Sequence, residues 1–266
     1  MTVRLIASDI DGTLLRDDGT MSDRTVAALA AAEDAGIVVV LCTGRPPRWM
    51  HPIAETTGHR GLAICANGAI VYDLHTETVV EHFPIDVEVG RRLAVALKTA
   101  LPDAQMAVER VDGMWREPSY VPIAPTGHTE AAFEDLLTEP MVKLIAKHPG
   151  MTSAELHAAA HDAVAELADL AETTYSSGSI IEISAAGVTK AFGLEHLATE
   201  RGIDAADVVA FGDMPNDIPM LSWAGRGVAV GNAHPDVVAI ADDVCASNED
   251  DGVAQVIEEL LATRSR

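Results

Sequence analysis

Apolar runs of the length of one buried strand recur along this chain. The clearest is Ile-Val-Val-Val-Leu-Cys at 37–42, six apolar residues without interruption. A run of this kind, rich in β-branched side chains, is typical of a strand that is buried on both faces of a parallel sheet. Shorter runs at 5–7, 62–65, 208–211 and 227–230 predict further strands. The chain is therefore expected to build a buried sheet.

Segments typical of helices separate these runs. Residues 22–35 predict a helix, with Ser22 as its N-cap and Gly36 as its C-terminal stop. Further helices are predicted from about 215, from about 234 and over 251–263. This alternation of strands and helices predicts an α/β fold with a doubly wound, Rossmann-like parallel sheet.

The middle of the chain follows a different pattern. Its predicted strands lie near 79–83, 105–110, 114–116, 141–147, 171–176 and 179–184, and its predicted helices lie near 86–100, 130–137 and 152–168. Two rounds of helix and paired strands predict a separate α+β unit inserted into the sheet domain. We expect the core to comprise residues 1–82 and 187–266 and the insert to comprise residues 83–186.

Two pairs of carboxylates directly follow predicted strands. Asp9 and Asp11 come after the first apolar run, and Asp213 and Asp217 come after the run at 208–211. In an open α/β sheet, ligands bind beyond the carboxyl ends of the strands. Carboxylates gathered there repel one another, and an oxygen-seeking cation such as Mg²⁺ relieves the repulsion. A polar turn after the first strand is the alternative interpretation of Asp9 and Asp11 taken alone.

Two further motifs are suited to phosphate. Thr43, Gly44 and Arg45 follow the run at 37–42 and combine a hydroxyl with a backbone amide that can bind an anion. Lys190 lies in the first turn of a predicted helix, where a cation opposes the helix dipole. That position suggests a role beyond helix stability, such as balancing a phosphoryl charge. Ordinary turn chemistry and a solvated lysine remain the alternatives.

Taken together, the motifs resemble those of the haloacid dehalogenase (HAD) superfamily. The matching segments are Asp-Ile-Asp-Gly-Thr-Leu (9–14), Thr-Gly-Arg (43–45), Ala-Asn-Gly-Ala (66–69), Gly-Val-Thr-Lys (187–190), Gly-Asp-Met-Pro-Asn-Asp (212–217) and Gly-Val-Ala-Val-Gly-Asn-Ala (227–233). The insertion of a cap between the second and third catalytic motifs resembles the Cof-type subfamily. The resemblance extends over nearly the whole chain and implies a magnesium-dependent phosphatase.

The resemblance also implies catalytic roles. Asp9 matches the nucleophile that receives the phosphoryl group, and Asp11 matches the acid/base that protonates the leaving alcohol and then activates water. Lys190 matches the cation that pairs with Asp9 and the phosphoryl oxygens. For Asp11 to serve as an acid, its pKa is expected to be raised by burial and by the neighbouring carboxylates.

The remaining implied roles concern binding. Thr43 and Gly44 match the hydroxyl and amide that bind the phosphate, and Asn216 matches a phosphoryl contact. The implied Mg²⁺ ligands are Asp9, the backbone carbonyl of Asp11, Asp213 and, directly or through water, Asp217. The inserted cap is expected to close over the site and to read the substrate.

The expected activity is hydrolysis of small phosphate monoesters, such as sugar phosphates or phosphorylated cofactors. Within the resembling superfamily, dehalogenases lack an acid at the position of Asp11 and ion-pumping ATPases carry a lysine there. Asp11 therefore favours a phosphatase or a phosphomutase. A sugar phosphomutase or phosphotransferase stays open as an alternative. A non-catalytic metabolite-binding protein is a further alternative, although it has no need of a costly carboxylate cluster.

Charge bears on partners and location. The chain has 18 Lys and Arg against 41 Asp and Glu, a net charge of −23, which repels nucleic acid and anionic membranes. We expect neither as a partner, and a small phosphorylated metabolite as the ligand. The first residues lack a cationic stretch followed by an apolar run, so a signal peptide is not predicted and the expected location is the cytoplasm.

Overall fold

The computed structural model describes residues 2–122, 127–174 and 180–264. The strands in these ranges are β1 Leu5–Asp9, β2 Val38–Cys42, β3 Leu62–Cys65, β4 Ile70–Asp73, β5 Thr78–His82, β6 Gln105–Arg110, β7 Gly113–Arg116, β8 His128–Glu130, β9 Lys143–Lys147, β10 Ala171–Thr174, β11 Ile180–Ala185, β12 Val208–Gly212, β13 Arg226–Ala229 and β14 Asp243–Val244. The α-helices are α1 Asp23–Asp34, α2 His51–Thr56, α3 Val87–Ala100, α4 Phe133–Leu136, α5 Ser153–Ala163, α6 Lys190–Glu200, α7 Ile218–Trp223, α8 Pro235–Ile240 and α9 Gly252–Arg264.

The chain forms two compact units. The core unit consists of Met1–Glu81 together with Thr189–Arg266, and the inserted unit consists of His82–Val188. Each has a sheet of its own. None of the helices in the described part of the chain combines the length and the apolar character needed to cross a bilayer.

The core sheet has the strand order β14-β13-β12-β1-β2-β3-β4-β5. Strand β1 lies in the middle and pairs in parallel with β12 on one side and β2 on the other. All five residues of β1 are buried, which fits a central strand covered on both faces. The predicted doubly wound α/β fold is confirmed.

One edge of the core sheet departs from the parallel pattern. Strand β4 was not predicted, and it pairs antiparallel with β3. Only residues 66–69 connect the two strands, and a parallel crossover needs a dozen residues or more. The short connection therefore forces the chain to turn back on itself. At the other edge, the two-residue strand β14 also carried no sequence signal.

The predicted first helix is confirmed in detail. Ser22 is the N-cap of α1, and its side chain accepts a hydrogen bond from the backbone N–H of Thr25. Gly36 follows the helix with φ 79°, a left-handed conformation that glycine adopts without a side-chain clash. The capping residues identified in the sequence therefore set both ends of this helix.

The inserted unit contains a six-stranded sheet with the order β10-β11-β9-β6-β7-β8. Its main apolar cluster joins buried residues of α3 and α5, such as Leu93, Leu97 and Leu156, to buried residues of the strands, such as Leu144 and Ile181. Helices thus cover one face of a largely antiparallel sheet, as expected for an α+β unit.

Several boundaries in the insert differ from the sequence-based prediction. The short helix predicted near 130–137 spans only Phe133–Leu136, and the polar strand β8 lies just before it. The helix predicted over 152–168 ends at Ala163 and is followed by a 3₁₀ segment, Ala165–Leu170. The ends predicted for the last two strands of the insert, within 175–179, lie outside the described residues.

Candidate active site

The ends of three neighbouring parallel strands bring the polar motifs together. Asp9 is the last residue of β1, Thr43 follows β2, and Asp213 follows β12. Because β1 pairs in parallel with both neighbours, these residues leave the sheet at the same edge. The apolar runs thus position the polar residues.

Lys190 connects two of the predicted carboxylates. Its Nζ atom donates hydrogen bonds to Oδ1 of Asp9 and to Oδ1 of Asp217, each at 2.5 Å. All three side chains are buried. Lys190 is the first residue of α6, and Thr189 is its N-cap, so the cation is fixed where the helix starts. This contact gives a structural reason for a lysine at a helix N-terminus.

Asp217 and Asp213 are held by the loop after β12. Oδ2 of Asp217 accepts hydrogen bonds from the backbone N–H groups of Asp213 and Met214, each at 3.0 Å. Oδ1 of Asp213 accepts a hydrogen bond from the hydroxyl of Thr13 at 3.0 Å. A carboxylate held by both of its oxygens is well oriented. Asp217 is therefore rigidly placed, and Thr13 ties the loop after β1 to the loop after β12.

The carboxylates of Asp9, Asp213 and Asp217 can hold a metal ion. One oxygen from each lies within 4.8 Å of the other two. With Lys190 as the paired cation, these groups leave a net formal charge of −2, which a divalent cation neutralises. The donors are all oxygen atoms, the type that Mg²⁺ prefers. Glycine at position 12 leaves room for the Asp213 carboxylate, because a Cβ atom there would lie 2.5 Å from its Oδ2 atom.

Burial and mutual repulsion perturb these groups. Burial raises the pKa of Asp9 well above its usual value, Lys190 opposes this, and Asp217 and Asp213 add to it. Burial, together with the charge of Asp217, raises the pKa of Asp213 to about 6. Burial alone would lower the pKa of Lys190, but Asp217 and Asp9 outweigh it, so that pKa is raised and the ammonium stays charged. Without a bound cation, Asp9 and Asp213 therefore hold their protons to higher pH than an exposed carboxyl does.

The predicted phosphate-binding loop is closely packed. Thr43 is fully buried, and its hydroxyl accepts a hydrogen bond from the backbone N–H of Arg45 at 3.0 Å. The backbone N–H of Asn67 donates to the carbonyl of Thr43 at 3.0 Å. A Cβ atom at Gly44 would lie 3.1 Å from Oδ1 of Asn67, so a larger residue would press on that side chain. The loops after β2 and β3 therefore support each other.

Asn67 connects two loops of the site, a role that was not predicted from the sequence. Its Oδ1 atom accepts a hydrogen bond from Nδ2 of Asn216 at 3.2 Å, which joins the loop after β3 to the loop after β12. Asn67 is buried and adopts φ 57°, a left-handed conformation that asparagine tolerates better than most residues. Oδ1 of Asn216 is buried and has no hydrogen-bond partner among the described residues.

Asn232 is a second residue without an assigned role. Its Nδ2 atom donates to the carbonyl of Gly12 at 2.8 Å, and its Oδ1 atom accepts from the backbone N–H of Asn248. The backbone N–H of His234 donates to the carbonyl of Asp213 at 2.7 Å. The loop after β13 thus supports the two loops that carry the carboxylates. The signal was its place in the motif at 227–233.

Asp11 differs from the sequence-based expectation. Its side chain is 55% exposed, so the burial expected to prepare it as an acid is absent. Its two oxygens accept hydrogen bonds from Nε and Nη2 of Arg45 at 2.8 Å and 2.5 Å. The turn at Gly12, with φ 79°, follows Asp11 directly. Asp9 and Asp11, although two residues apart, therefore contact different cations.

Comparison with known proteins decides the family. The model of the haloacid dehalogenase-like hydrolase family matches residues 6–257, nearly the whole chain. The chain belongs to this family. Among curated HAD proteins, it is similar to the pyridoxal phosphate phosphatase YbhA of Escherichia coli (strain K12), with 32% identity over 97% of this chain and 98% of that protein. It is also similar to the 5-amino-6-(5-phospho-D-ribitylamino)uracil phosphatase YitU of Bacillus subtilis (strain 168), with 30% identity over 97% of each chain.

Solved structures share the fold. A haloacid dehalogenase-like hydrolase from B. subtilis aligns with a TM-score of 0.85 and 26% identity, covering 96% of this chain and 99% of that one. A protein of Streptococcus mutans UA159 aligns with a TM-score of 0.87 and 24% identity, covering 98% and 100%, respectively. The predicted resemblance to Cof-type HAD proteins and the predicted enzyme class, a HAD phosphatase, are confirmed.

Proposed function

We propose that this HAD protein hydrolyses small phosphate monoesters with Mg²⁺ at the carboxylate cluster and with a phosphoryl group carried transiently on Asp9. The observation that carries this proposal is the contact of Lys190 with both Asp9 and Asp217 inside a cluster of three buried carboxylates. A carboxylate nucleophile and a phosphate dianion repel each other. A buried ammonium and a divalent cation offset that repulsion.

The metal would be held by Asp9, Asp213 and Asp217, with the backbone carbonyl of Asp11 as a further ligand. When bound, Mg²⁺ would supply positive charge next to the phosphoryl oxygens. Lys190 would supply a second positive charge from the start of α6. A chain of net charge −23 repels an anionic substrate, and this local positive charge would offset the repulsion at the site.

The covalent step transfers the phosphoryl group to Asp9. A carboxylate oxygen of Asp9 attacks phosphorus, the bond from phosphorus to the ester oxygen breaks, and Asp11 gives that oxygen a proton. The hydroxyl of Thr43, the backbone N–H of Gly44 and the Nδ2 group of Asn216 would donate hydrogen bonds to the phosphoryl oxygens. Water then attacks phosphorus and passes a proton to Asp11, which releases inorganic phosphate and restores the Asp9 carboxylate. Two easier steps replace one difficult hydrolysis.

The inserted unit, His82–Val188, is proposed to select the substrate. The printed names of the relatives point to two substrates for a first test. YbhA is a phosphatase of pyridoxal phosphate, and YitU is a phosphatase of 5-amino-6-(5-phospho-D-ribitylamino)uracil. Both are small phosphate monoesters, the class that the site is proposed to accept.

The test is phosphate release from para-nitrophenyl phosphate, pyridoxal phosphate and a panel of sugar phosphates, with Mg²⁺ and with EDTA. We expect Mg²⁺-dependent release by the wild type, loss of release in Asp9→Asn, and normal release in the control Asp18→Asn, which changes an exposed loop carboxylate. Asp11→Asn should retain a hydroxylamine-labile phosphoryl group on the protein, as expected of an acyl phosphate.

Other outcomes separate the alternatives. Release that appears only when an acceptor sugar is added would support a phosphotransferase instead. Mg²⁺-dependent release that persists in Asp9→Asn would contradict the covalent route while leaving phosphatase activity in place. A folded wild type that binds Mg²⁺ but releases no phosphate from any ester would support a binding role.

A further inference from the structure

A second cluster of metal-ligating side chains lies in the core unit, apart from the residues proposed for catalysis. Glu81 from β5 and His196 and Glu200 from α6 each offer one donor atom, and these atoms lie within 4.8 Å of one another. We propose that this trio binds a late first-row divalent cation such as Zn²⁺. The sequence gives no sign of the site, because Glu81 and His196 are 115 residues apart.

In the metal-free chain, His196 and Glu81 form a direct hydrogen bond, which a shared cation would replace. Nε2 of His196 lies 2.6 Å from Oε2 of Glu81 and 3.8 Å from Oε1 of Glu200. Two donors on one tetrahedral zinc ion, each at about 2.0–2.1 Å, are roughly 3.3 Å apart. On binding, Nε2 of His196 would therefore move away from Oε2 of Glu81 and towards Oε1 of Glu200. His196 and Glu200 are four residues apart on one helix, so they share a face.

The imidazole distinguishes this trio from other acidic clusters. A chain with 41 Asp and Glu residues brings carboxylates together in many exposed places, and such groups alone indicate no ion. Imidazole suits zinc, copper and nickel, whereas Mg²⁺ and Ca²⁺ prefer oxygen ligands. The carboxylates of Asp9, Asp213 and Asp217 form an oxygen-only set, so the two clusters should prefer different metals.

The surroundings of His196 support a ligand role. The ring of Phe192, one helical turn earlier, stacks on the His196 ring with 6.4 Å between centroids and 20° between planes. This contact orients the imidazole before an ion arrives. The side chains of Glu81, His196 and Glu200 are 41%, 32% and 57% exposed, so an ion and its remaining water ligands can reach them.

Occupation of the site would join two parts of the chain that border the insert. Glu81 is the last residue of the core unit before the insert, and α6 begins two residues after the insert ends at Val188. The same helix starts with Lys190, the cation paired with Asp9. A cation between β5 and α6 would therefore brace the helix that carries this lysine.

The test is a calorimetric titration of Zn²⁺ into the full chain, which is first stripped of transition metals and then saturated with Mg²⁺, with the ring ¹⁵N signals of the histidines followed by NMR. The oxygen-only cluster contains no imidazole, so a shift of the His196 ring signals reports on the proposed site. We expect that shift with Zn²⁺ and not with Mg²⁺ alone. Glu81→Gln and His196→Ala should each weaken Zn²⁺ binding about tenfold or more.

The matched control is Glu195→Gln, which removes an exposed carboxylate from the same helix without touching the trio. It should change Zn²⁺ affinity less than about twofold. His196 ring signals that stay in place at saturating Zn²⁺ in the wild-type chain would overturn the proposal. Equal Zn²⁺ affinity in the wild type and in Glu81→Gln would overturn it as well.

Discussion

Arg45 holds the Asp11 carboxylate by both of its oxygens, with Nε 2.8 Å from Oδ2 and Nη2 2.5 Å from Oδ1. A guanidinium fork matched to a carboxylate fixes direction as well as distance. Asp11 is proposed as the acid/base, yet its partner in this conformation is Arg45. The arginine of the Thr-Gly-Arg motif is therefore in a position to control where Asp11 points.

The first prediction concerns this pair. Arg45→Ala should lower kcat about tenfold or more, because Asp11 loses the contact that orients it. In an Asp11→Asn background, the same change should cost less than about twofold, since two residues that act together are non-additive. A double-mutant cycle of kcat at saturating Mg²⁺ measures this. Arg60→Ala, at a surface ion pair with Asp34, is the control. Fully additive effects would show that Arg45 acts independently of Asp11.

The second prediction concerns Lys190 and stability. Lys190→Met leaves the buried carboxylates of Asp9 and Asp217 without their shared cation. Breaking a buried pair by removing one partner costs about 3–5 kcal/mol. We expect a loss of that order at pH 7.5 in EDTA, measured by urea unfolding. The loss should shrink at pH 5, because burial raises the pKa of Asp9 and its carboxyl can take up a proton in place of the lost ion pair.

The control for Lys190 is Arg226→Met. Arg226 pairs with Asp243 at 2.8 Å, but both side chains are partly exposed, and such surface pairs contribute at most about 1 kcal/mol. If Lys190→Met and Arg226→Met lower the free energy of unfolding equally, the buried contacts of Lys190 do not stabilise the fold more than a surface ion pair does.

The third prediction compares two glycines with positive φ. A Cβ atom at Gly68 would lie 2.0 Å from the carbonyl oxygen of Thr189, whereas a Cβ atom at Gly36 meets nothing within 4 Å. Gly36→Ala should cost about 1–2 kcal/mol for its left-handed backbone alone. Gly68→Ala should cost more, because the backbone that precedes Lys190 must shift.

Unfolding curves and phosphate release together test this comparison. We expect Gly36→Ala to keep its activity and Gly68→Ala to lose most of it, since Lys190 starts the helix that the clash displaces. Equal destabilisation of the two variants, with activity retained in both, would contradict the proposed link between Gly68 and Lys190.

The fourth prediction concerns pH and Mg²⁺. The pKa of Asp213 is about 6 in the folded, metal-free chain, against a usual value of 3.8. Between these values the folded chain binds more protons than the unfolded chain, so the contribution of Asp213 to stability falls as pH rises from about 4 to 6. Mg²⁺ must displace that proton. Its apparent affinity should therefore be about tenfold lower at pH 5 than at pH 7.5.

Melting curves in EDTA and in Mg²⁺ at both pH values test this. The rise in Tm on adding Mg²⁺ should be larger at pH 7.5 than at pH 5. Asp213→Asn, which removes the titrating ligand, should weaken the Mg²⁺ effect at both. An equal rise in Tm at the two pH values in the wild type would argue against Mg²⁺ binding through Asp213.

Much of the architecture was predictable because local signals agreed with the global fold. The apolar runs of β1, β2 and β12 predicted a parallel sheet, and a parallel sheet brings the ends of its strands to one edge. The motifs that follow these runs in the sequence then predicted which polar residues lie at that edge. The polar strand β8 was not predicted, because pairing with a neighbour defines it more than its own composition does. Strand β4 was not predicted either, although Ile70, Val71 and Tyr72 are residues that favour strands.

The sequence by itself determined the α/β class, the family and the residue types at the ends of the central strands, because apolar periodicity and short motifs are local properties. Tertiary structure alone decided which charges meet. Lys190 contacts Asp9, which is 181 residues away in the sequence. Asp11 pairs with Arg45 and not with the carboxylate cluster. Glu81 contacts His196, which is 115 residues away. Contacts between distant segments depend on strand order and loop geometry, and these exist only once the chain has folded.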